Sequence, residues 1–304
     1  MRKILITGAS GLIGKALSTH LIERGYTVHA LVRSYPERPI AEVSYFIWDT
    51  ENGTMDKEAL SEVDTIIHLA GANIAALPWS NRVKKGIVTS RTKSITLLYN
   101  TIKKENIESV RHVISASATG YYNNRGNELM TETKPASLDF LGMACTAWEN
   151  AVNKGKKLGL RTVTLRTGMV LDLYGGALPK LATSAHLGLS TALGSGKQWT
   201  PWIHLADAVG IYTYAIEHMD LSGPYNMVAP QSITNEQLVK AIARHLHKPY
   251  WLPNIPAFLI RGILGQMSEL VLSSTKASAQ KIIHTGYHFQ YPTIDRALEQ
   301  VYGQ

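Results

Sequence analysis

Short apolar segments alternate with longer amphipathic segments over the first two-thirds of the chain. Several of the apolar segments are apolar at successive rather than alternate positions, which is typical of strands buried on both faces of a parallel sheet. The predicted strands are residues 3–7, 27–32, 44–48, 65–69, 112–115 and 161–166. The segments between them predict helices at residues 12–24, 80–104 and 138–157. This strand-helix repetition predicts an α/β fold with a doubly wound parallel sheet.

The pattern changes after residue 166. Residues 167–203 are rich in glycine and predict one helix, near residues 178–187. Further helices are predicted at residues 204–218, 235–245, 257–265, 275–284 and 293–302, with a last short strand at residues 224–228. Thr234 and Thr293 are predicted to be N-caps. The sequence therefore predicts one domain over residues 1–228 and a small, mainly helical lobe over residues 229–304, to which residues 171–203 contribute.

The composition is that of a globular protein, with 45% hydrophobic and 18% charged residues among 304. A formal net charge of +8 favours anionic partners, such as a phosphorylated cofactor. The densest lysine clusters, at residues 84–85, 103–104 and 154–157, fall on predicted helices and are interpreted as solvated faces. We therefore predict a small-molecule partner and no nucleic acid.

Cysteine content and the apolar segments indicate the cellular compartment and the absence of a membrane span. Cys145 is the only cysteine, which excludes a disulfide within the chain and a cysteine-based zinc site. The apolar segment at residues 258–272 contains Arg261 and Glu269 and falls short of a membrane span. The sequence thus predicts a cytoplasmic protein with no metal site and no membrane partner.

A glycine motif follows the first predicted strand and opens the first predicted helix. Gly8, Gly11 and Gly14 stand at the spacing Gly-x-x-Gly-x-x-Gly. Gly8 permits a tight turn, Gly11 lets the backbone approach a pyrophosphate, and Gly14 lets the helix pack closely on the sheet. The helix N-terminus offers N–H groups to the phosphates. The motif predicts a Rossmann-type dinucleotide site, whose other binding residues are Thr7, Ser10, Leu12 and Ile13.

The end of the second predicted strand indicates which dinucleotide is bound. An NAD-specific site has an acidic residue there for the ribose hydroxyls, whereas Arg33 offers a guanidinium to a 2′-phosphate. We therefore predict NADP rather than NAD as the cofactor. Arg38 is an alternative to Arg33 for the same contact.

Two further strand ends are candidates for the adenosine side of the cofactor. Asp49 follows the third strand and could contact the adenine edge. Leu69, Ala70 and Gly71 follow the fourth strand, where small residues would let the backbone pass close to the adenosine. A plain turn at the end of a strand is an equal alternative for either segment taken singly.

Ordered motifs along the whole chain resemble one known family. The glycine motif and residues 68–71 are similar to the extended short-chain dehydrogenase/reductases, the NAD-dependent epimerase/dehydratase superfamily. Other segments resemble an atypical branch that is named epimerase or cell-division inhibitor and has a C-terminal domain of unknown function. These segments are residues 69–74, 90–91, 115–122, 145–149, 165–171, 194–199, 202–204 and 286–292. The resemblance implies that Arg91 contacts the cofactor and that the helical lobe binds substrate.

The catalytic residues of that superfamily are only partly present. In its active members a serine polarises the reacting oxygen and a Tyr-x-x-x-Lys pair relays the proton, since the lysine lowers the pKa of the tyrosine. Ser117 stands at the serine position, but Leu141 and Cys145 stand where the tyrosine and the lysine belong. We therefore predict Ser117 and Tyr121 as the catalytic residues. Cys145 is interpreted as a buried packing residue.

Aromatic residues predict the substrate side of the site. Thr200 stands where epimerases of nucleotide sugars usually carry an arginine that holds the diphosphate. Aromatic walls with few polar groups suit an apolar or sugar-ring ligand. Core packing of the tryptophans and structural hydrogen bonding of the histidine are the alternatives. The predicted substrate residues are Tyr122, Trp199, Trp202 and His204.

Two functions of different classes remain open. The resemblance implies an NADP-dependent oxidoreductase or epimerase that acts on a small carbonyl, alcohol or sugar-like substrate. The missing Tyr-x-x-x-Lys pair favours the alternative, an NADP-binding sensor or regulatory protein without turnover. The resemblance also implies that two copies can pair as a homodimer through the helices at residues 80–104 and 138–157.

Overall fold

A computed structural model of the chain describes residues 2–303. The strands are β1 (Lys3–Thr7), β2 (Thr27–Val32), β3 (Val43–Asp49), β4 (Thr54–Met55), β5 (Val63–His68), β6 (His112–Ala118), β7 (Leu129–Met130), β8 (Arg161–Thr167), β9 (Met169–Leu171), β10 (Trp202–His204), β11 (Gly223–Met227) and β12 (Lys276–Ala277). The α-helices are α1 (Leu12–Glu23), α2 (Asn81–Lys104), α3 (Phe140–Asn153), α4 (Leu178–His186), α5 (Leu205–Glu217), α6 (Asn235–His245), α7 (Ala257–Leu264), α8 (Glu269–Leu272), α9 (Gln280–His284) and α10 (Ile294–Tyr302). Single turns of 3₁₀-helix lie at Lys57–Leu60, Thr119–Tyr121, Lys154–Leu158 and Gly265–Ser268.

Eight of these strands form one sheet in the order β11-β8-β6-β5-β1-β2-β3-β4. All of them pair in parallel except β4, which is antiparallel to β3. The strand order reverses at β1, which lies between β2 and β5, and ligands of open α/β sheets bind beside the carboxyl ends of strands at such a point. The predicted Rossmann-type α/β fold is confirmed.

Successive residues of β1 face two different cores. Ile4 and Ile6 pack into a core that includes Leu17 and Leu21 of α1, whereas Leu5 packs into a second core on the opposite face of the sheet. All five side chains are fully buried. Strand side chains alternate between faces, so a strand covered by helices on both faces is apolar at every position. This explains the successive apolar positions in the sequence.

The C-terminal helices pack around a separate core. Leu178 of α4, Leu238 of α6 and Leu298 of α10 are fully buried in it. Thr234 caps α6 as predicted, and Gln237 completes a capping box with it. Thr293 precedes α10, but its side chain forms no capping hydrogen bond.

The predicted helix at residues 275–284 is wrong over its first half. Lys276 and Ala277 form β12, which pairs in parallel with β7. The Ser278 N–H donates to the Met130 carbonyl, and the Asn226 side chain donates to the Ser278 carbonyl. These long-range bonds occupy backbone groups that a helix would need, so α9 begins only at Gln280.

Helix α7 is apolar but largely exposed. Ile260 is its only buried residue, whereas Phe258 and Ile263 are 70% and 82% exposed. α7 has only eight residues, and a bilayer span needs about twenty. Between residues 2 and 303, no helix is both long enough and apolar enough to cross a membrane.

Candidate cofactor and active site

The glycine loop between β1 and α1 is tightly folded. Gly8 has a positive φ of 73°, and a Cβ atom there would lie 2.9 Å from the Leu69 carbonyl carbon. The Gly11 N–H donates to the Gly8 carbonyl at 3.0 Å. A Cβ atom on Gly14 would overlap that same carbonyl oxygen. The loop therefore requires glycine at positions 8 and 14, because side chains there would meet backbone atoms.

The N-terminus of α1 is open to a ligand. Gly11 is its N-cap, no side chain caps it, and its first turn has no acidic residue. Within residues 2–303, the N–H groups of Leu12, Ile13 and Gly14 have no hydrogen-bond acceptor. Ser10 beside them is exposed. Unpaired N–H groups and the positive end of the helix dipole suit an anionic group, so this loop fits the pyrophosphate of a dinucleotide.

Thr7 ties the ends of β1 and β5 together. Its hydroxyl accepts hydrogen bonds from the N–H groups of Leu69 and Ala70, each at 3.2 Å. The next residue, Gly71, is exposed, and the Arg91 side chain lies over it. The structure therefore brings Thr7, Leu69, Ala70, Gly71 and Arg91 together beside the glycine loop.

Arg33 and Asp49 lie at the ends of the neighbouring strands β2 and β3. Arg33 is exposed and forms no ion pair within the described residues. Asp49 accepts hydrogen bonds from the N–H groups of Glu51 and Asn52 and from the Asn52 side chain. These bonds hold the pKa of Asp49 below its usual range. Asp49 thus builds the turn between β3 and β4, and its contact with adenine stays a prediction.

Ser117 lies in a buried charged network. Its side chain is 3% exposed and donates to Oε1 of Glu149 on α3 at 2.7 Å. Arg166, which the sheet register places opposite Ser117, donates to both oxygens of that carboxylate at 2.8 and 2.9 Å. Burial alone lowers the pKa of Arg166, but the bonds and charge of Glu149 raise it overall. Arg166 therefore keeps its positive charge in this buried position.

The two tyrosines after β6 have different environments. The Tyr122 hydroxyl is fully buried, accepts from Arg166 at 2.9 Å and donates to Asn226 at 2.8 Å. Burial raises the pKa of Tyr122 to about 12. The Tyr121 ring is half-buried and lies 3.5 Å from the Arg166 guanidinium carbon. No residue between 2 and 303 bonds the Tyr121 hydroxyl, so this phenol is the one free to meet a ligand.

The positions of the expected tyrosine and lysine on α3 are buried. Leu141 is 5% exposed and lies 3.5 Å from the place of a Cβ atom on Gly120. Cys145 is 7% exposed, with its sulfur 3.7 Å from the Ala118 carbonyl oxygen. Burial, followed by the charge of Glu149, raises the pKa of the Cys145 thiol to about 12. This environment fits a packing role for Cys145, because the thiol stays protonated at neutral pH.

Comparisons with known proteins identify the family. The sequence profile of the NAD dependent epimerase/dehydratase family matches residues 4–228. This chain belongs to that family. Residues 255–301 match a second profile, described as a domain of unknown function, DUF1731. The resemblance seen in the sequence motifs is thereby confirmed.

Members of this epimerase family match the chain over nearly its whole length. An epimerase family protein of Mycobacterium bovis is 34% identical over 296 residues, which cover 97% of this chain and 96% of the relative. The epimerase family protein YfhF of Bacillus subtilis is 33% identical over 98% of this chain and 97% of its own. The crystal structure of the human epimerase family protein SDR39U1, solved with NADPH, has a TM-score of 0.86 and 28% identity over 99% of both chains.

Of the four predicted substrate residues, Trp199 is half-buried, whereas Tyr122, Trp202 and His204 are buried. Trp199 is half-buried, donates to Asn127 at 2.9 Å and lies 4.4 Å from the Lys276 ammonium. Trp202 is 1% exposed in the C-terminal core, and its indole donates to the Gln231 carbonyl at 2.9 Å.

His204 is the N-cap of α5. Its Nδ1 accepts from the Ala206 N–H, and its Nε2 lies 2.9 Å from the Gln300 side-chain oxygen. Burial lowers the pKa of His204. Packing and capping account for Trp202 and His204, and a role of either toward substrate stays a prediction.

The sequence motifs contained the central ion pair without assigning it a role. Glu149 lies four residues after Cys145 on the same helix face, and Arg166 ends the sixth predicted strand. Two charged residues in otherwise apolar elements were the available signal, because buried charges are normally paired. Their pairing could not be read from either pattern alone, since one residue is on a helix and the other on a strand.

Proposed function

We propose that this chain binds NADP(H) and acts as an oxidoreductase or epimerase on a small carbonyl, alcohol or sugar-like substrate. The observation that carries the proposal is the glycine loop, with unpaired N–H groups at Leu12, Ile13 and Gly14 and no acidic residue in the first turn of α1. Arg33 at the end of β2 favours the 2′-phosphate of NADP. The human relative solved with NADPH supports the same choice.

The cofactor supplies the hydride chemistry when it is bound, and the chain supplies binding and proton handling. Ser117 would polarise the reacting oxygen. Its hydroxyl proton, now directed to Glu149, would turn to the substrate, while Glu149 keeps both bonds from Arg166. Tyr121 would handle the proton, because its phenol is half-exposed at the end of the same strand.

A second candidate function is an NADP-binding sensor without turnover. Leu141 and Cys145 favour it, because buried apolar side chains take the place of the family's proton relay. The two functions share the cofactor site and differ in turnover.

We expect Arg33→Ala to weaken NADPH binding by about 1–3 kcal/mol and to leave NADH binding unchanged, since only NADPH carries the 2′-phosphate. Isothermal titration calorimetry of both cofactors measures the difference. Arg38→Ala tests the alternative assignment of this contact, and Arg111→Ala is the matched control, with an exposed arginine just before the first residue of β6. Equal affinity of the wild-type protein for NADPH and NADH would contradict the choice of NADP.

We expect Ser117→Ala to lose about a hundredfold or more in turnover, because a polarising donor is removed. NADPH oxidation against a panel of carbonyl compounds measures it. Ser115→Ala is the matched control, since Ser115 faces the same side of β6 but is bonded to His68 at 3.0 Å. Cys145→Ala is expected to keep most of the activity. Full activity in a folded Ser117→Ala variant would overturn the assignment of Ser117.

A further inference from the structure

Arg91 of α2 places a guanidinium between the end of β5 and helix α3. A Cβ atom on Gly71 would lie 3.0 Å from its Cζ atom. On the other side, Cζ lies 4.9 Å from the centre of the Trp148 ring. The Trp148 indole in turn donates to His68, the last residue of β5. The cation therefore lies at the carboxyl edge of the sheet, beside the proposed cofactor site.

The charge of Arg91 has no protein counter-ion in the described part of the chain. Its Nη1 donates to the Ile87 carbonyl at 2.8 Å, and its Nη2 donates to the Ala72 carbonyl at 3.1 Å. A guanidinium has five N–H groups, so three remain without an acceptor among residues 2–303. Burial lowers the pKa of Arg91, which means that the charged form is held there at a cost. Arg91 is half-buried by its exposed surface, so its unmatched donors are free to meet oxygen acceptors on a ligand.

Arg91 approaches the face of α3 that carries position 145, where the family's lysine would stand. Leu141, Cys145 and Trp148 lie at positions i, i+4 and i+7 of α3, and all three are buried on one face of the helix. Trp148 on that face touches the Arg91 guanidinium. The Arg91 guanidinium from α2 thus lies in the gap beside the face of α3 on which the lysine is missing.

We propose that Arg91 supplies the positive charge that Cys145 cannot, by donating hydrogen bonds to oxygen atoms on the nicotinamide side of the bound cofactor. This inference rests on the proposed function. Two arginines would then bind opposite ends of the cofactor, with Arg33 at the adenosine 2′-phosphate and Arg91 near the reacting end. The chain would then retain a positive charge near the reacting end of the cofactor, although it lacks the lysine of the Tyr-x-x-x-Lys pair.

The alternative is that Arg91 only holds the loop after β5, through its bond to the Ala72 carbonyl. The two roles differ in which half of the cofactor they affect. A loop clamp would support both halves, because the same loop adjoins the glycine turn at Gly8. A contact to the nicotinamide side would leave the adenosine half unaffected.

Calorimetry with NADPH and with 2′,5′-ADP, which lacks the nicotinamide half, separates the two roles. Arg91→Met is expected to weaken NADPH binding about tenfold or more and to leave 2′,5′-ADP binding unchanged. Arg33→Ala is the matched control and should weaken both ligands by the same factor. Equal weakening of both ligands in Arg91→Met, or unchanged binding of both, would overturn the inference about Arg91.

A rescue experiment tests the exchange of charge directly. When Cys145→Lys is combined with Arg91→Met, we expect it to restore NADPH affinity at least in part. When Arg91 is present, we expect Cys145→Lys to lower the melting temperature, because two cations then share the gap. A folded double variant that binds NADPH no better than Arg91→Met would contradict the proposal. Failure of the wild-type protein to bind either NADPH or 2′,5′-ADP would instead refute the proposed cofactor function itself.

Discussion

Gly11→Val is expected to abolish dinucleotide binding while the protein stays folded. Gly11 has an ordinary φ of −76°, so valine can adopt its backbone conformation. A Cβ atom there would lie 3.3 Å from the Gly8 carbonyl oxygen, a close contact that a small shift can relieve. The valine methyl groups would then stand in front of the unpaired N–H groups of Leu12 and Ile13, where the pyrophosphate is expected. Calorimetric titration with NADPH measures the loss.

The control for this experiment is Gly86→Val. Gly86 lies on the exposed side of α2, and a Cβ atom there meets no atom within 4 Å. It tests the same exchange of glycine for valine without the glycine loop. The far-ultraviolet circular dichroism of both variants should match that of the wild-type protein. Wild-type affinity for NADPH in Gly11→Val would show that the loop is only a turn.

Local patterns were sufficient for the glycine loop and for seven of the eight strands of the main sheet, since only the two-residue strand β4 was missed. Strand β1 has both faces covered, so its residues are apolar at successive positions, and the glycine spacing directly reflects the turn geometry at Gly8 and Gly14. Both signals lie within a dozen residues of sequence. The short strands β7 and β12 escaped prediction, because a pair of two-residue strands has no periodicity.

The site depended on contacts between distant segments. The Gln300 side chain that holds His204 lies 96 residues further along the chain, and the carbonyl that receives the Trp202 indole lies 29 residues away. An aromatic or a histidine near a strand end has the same sequence signature in a pocket and in a core. The pairing of Arg166 with Glu149 likewise joins a strand to a helix, and no periodic pattern encodes it.

The buried ion pair between Glu149 and Arg166 carries the largest expected effect on stability. The two side chains are 9% and 3% exposed, and the Arg166 guanidinium also bonds the Tyr122 hydroxyl. Glu149→Gln would leave the charge of Arg166 buried without a counter-ion and would weaken the acceptor of the Ser117 hydroxyl. We expect the free energy of unfolding to fall by about 3–5 kcal/mol, as measured by urea denaturation.

Two comparisons decide whether this loss comes from an unpaired buried charge. Glu128→Gln removes one partner of the exposed pair with Lys134 and should leave the free energy of unfolding unchanged within error. Combining Glu149→Gln with Arg166→Met should recover part of the stability, because the second change removes the uncompensated charge. Arg166→Met alone lowers the free energy of unfolding of the wild-type protein by a certain amount. If it lowers that of Glu149→Gln by the same amount, the two residues act independently. That result would contradict the central position of this ion pair beneath Ser117 and Tyr121.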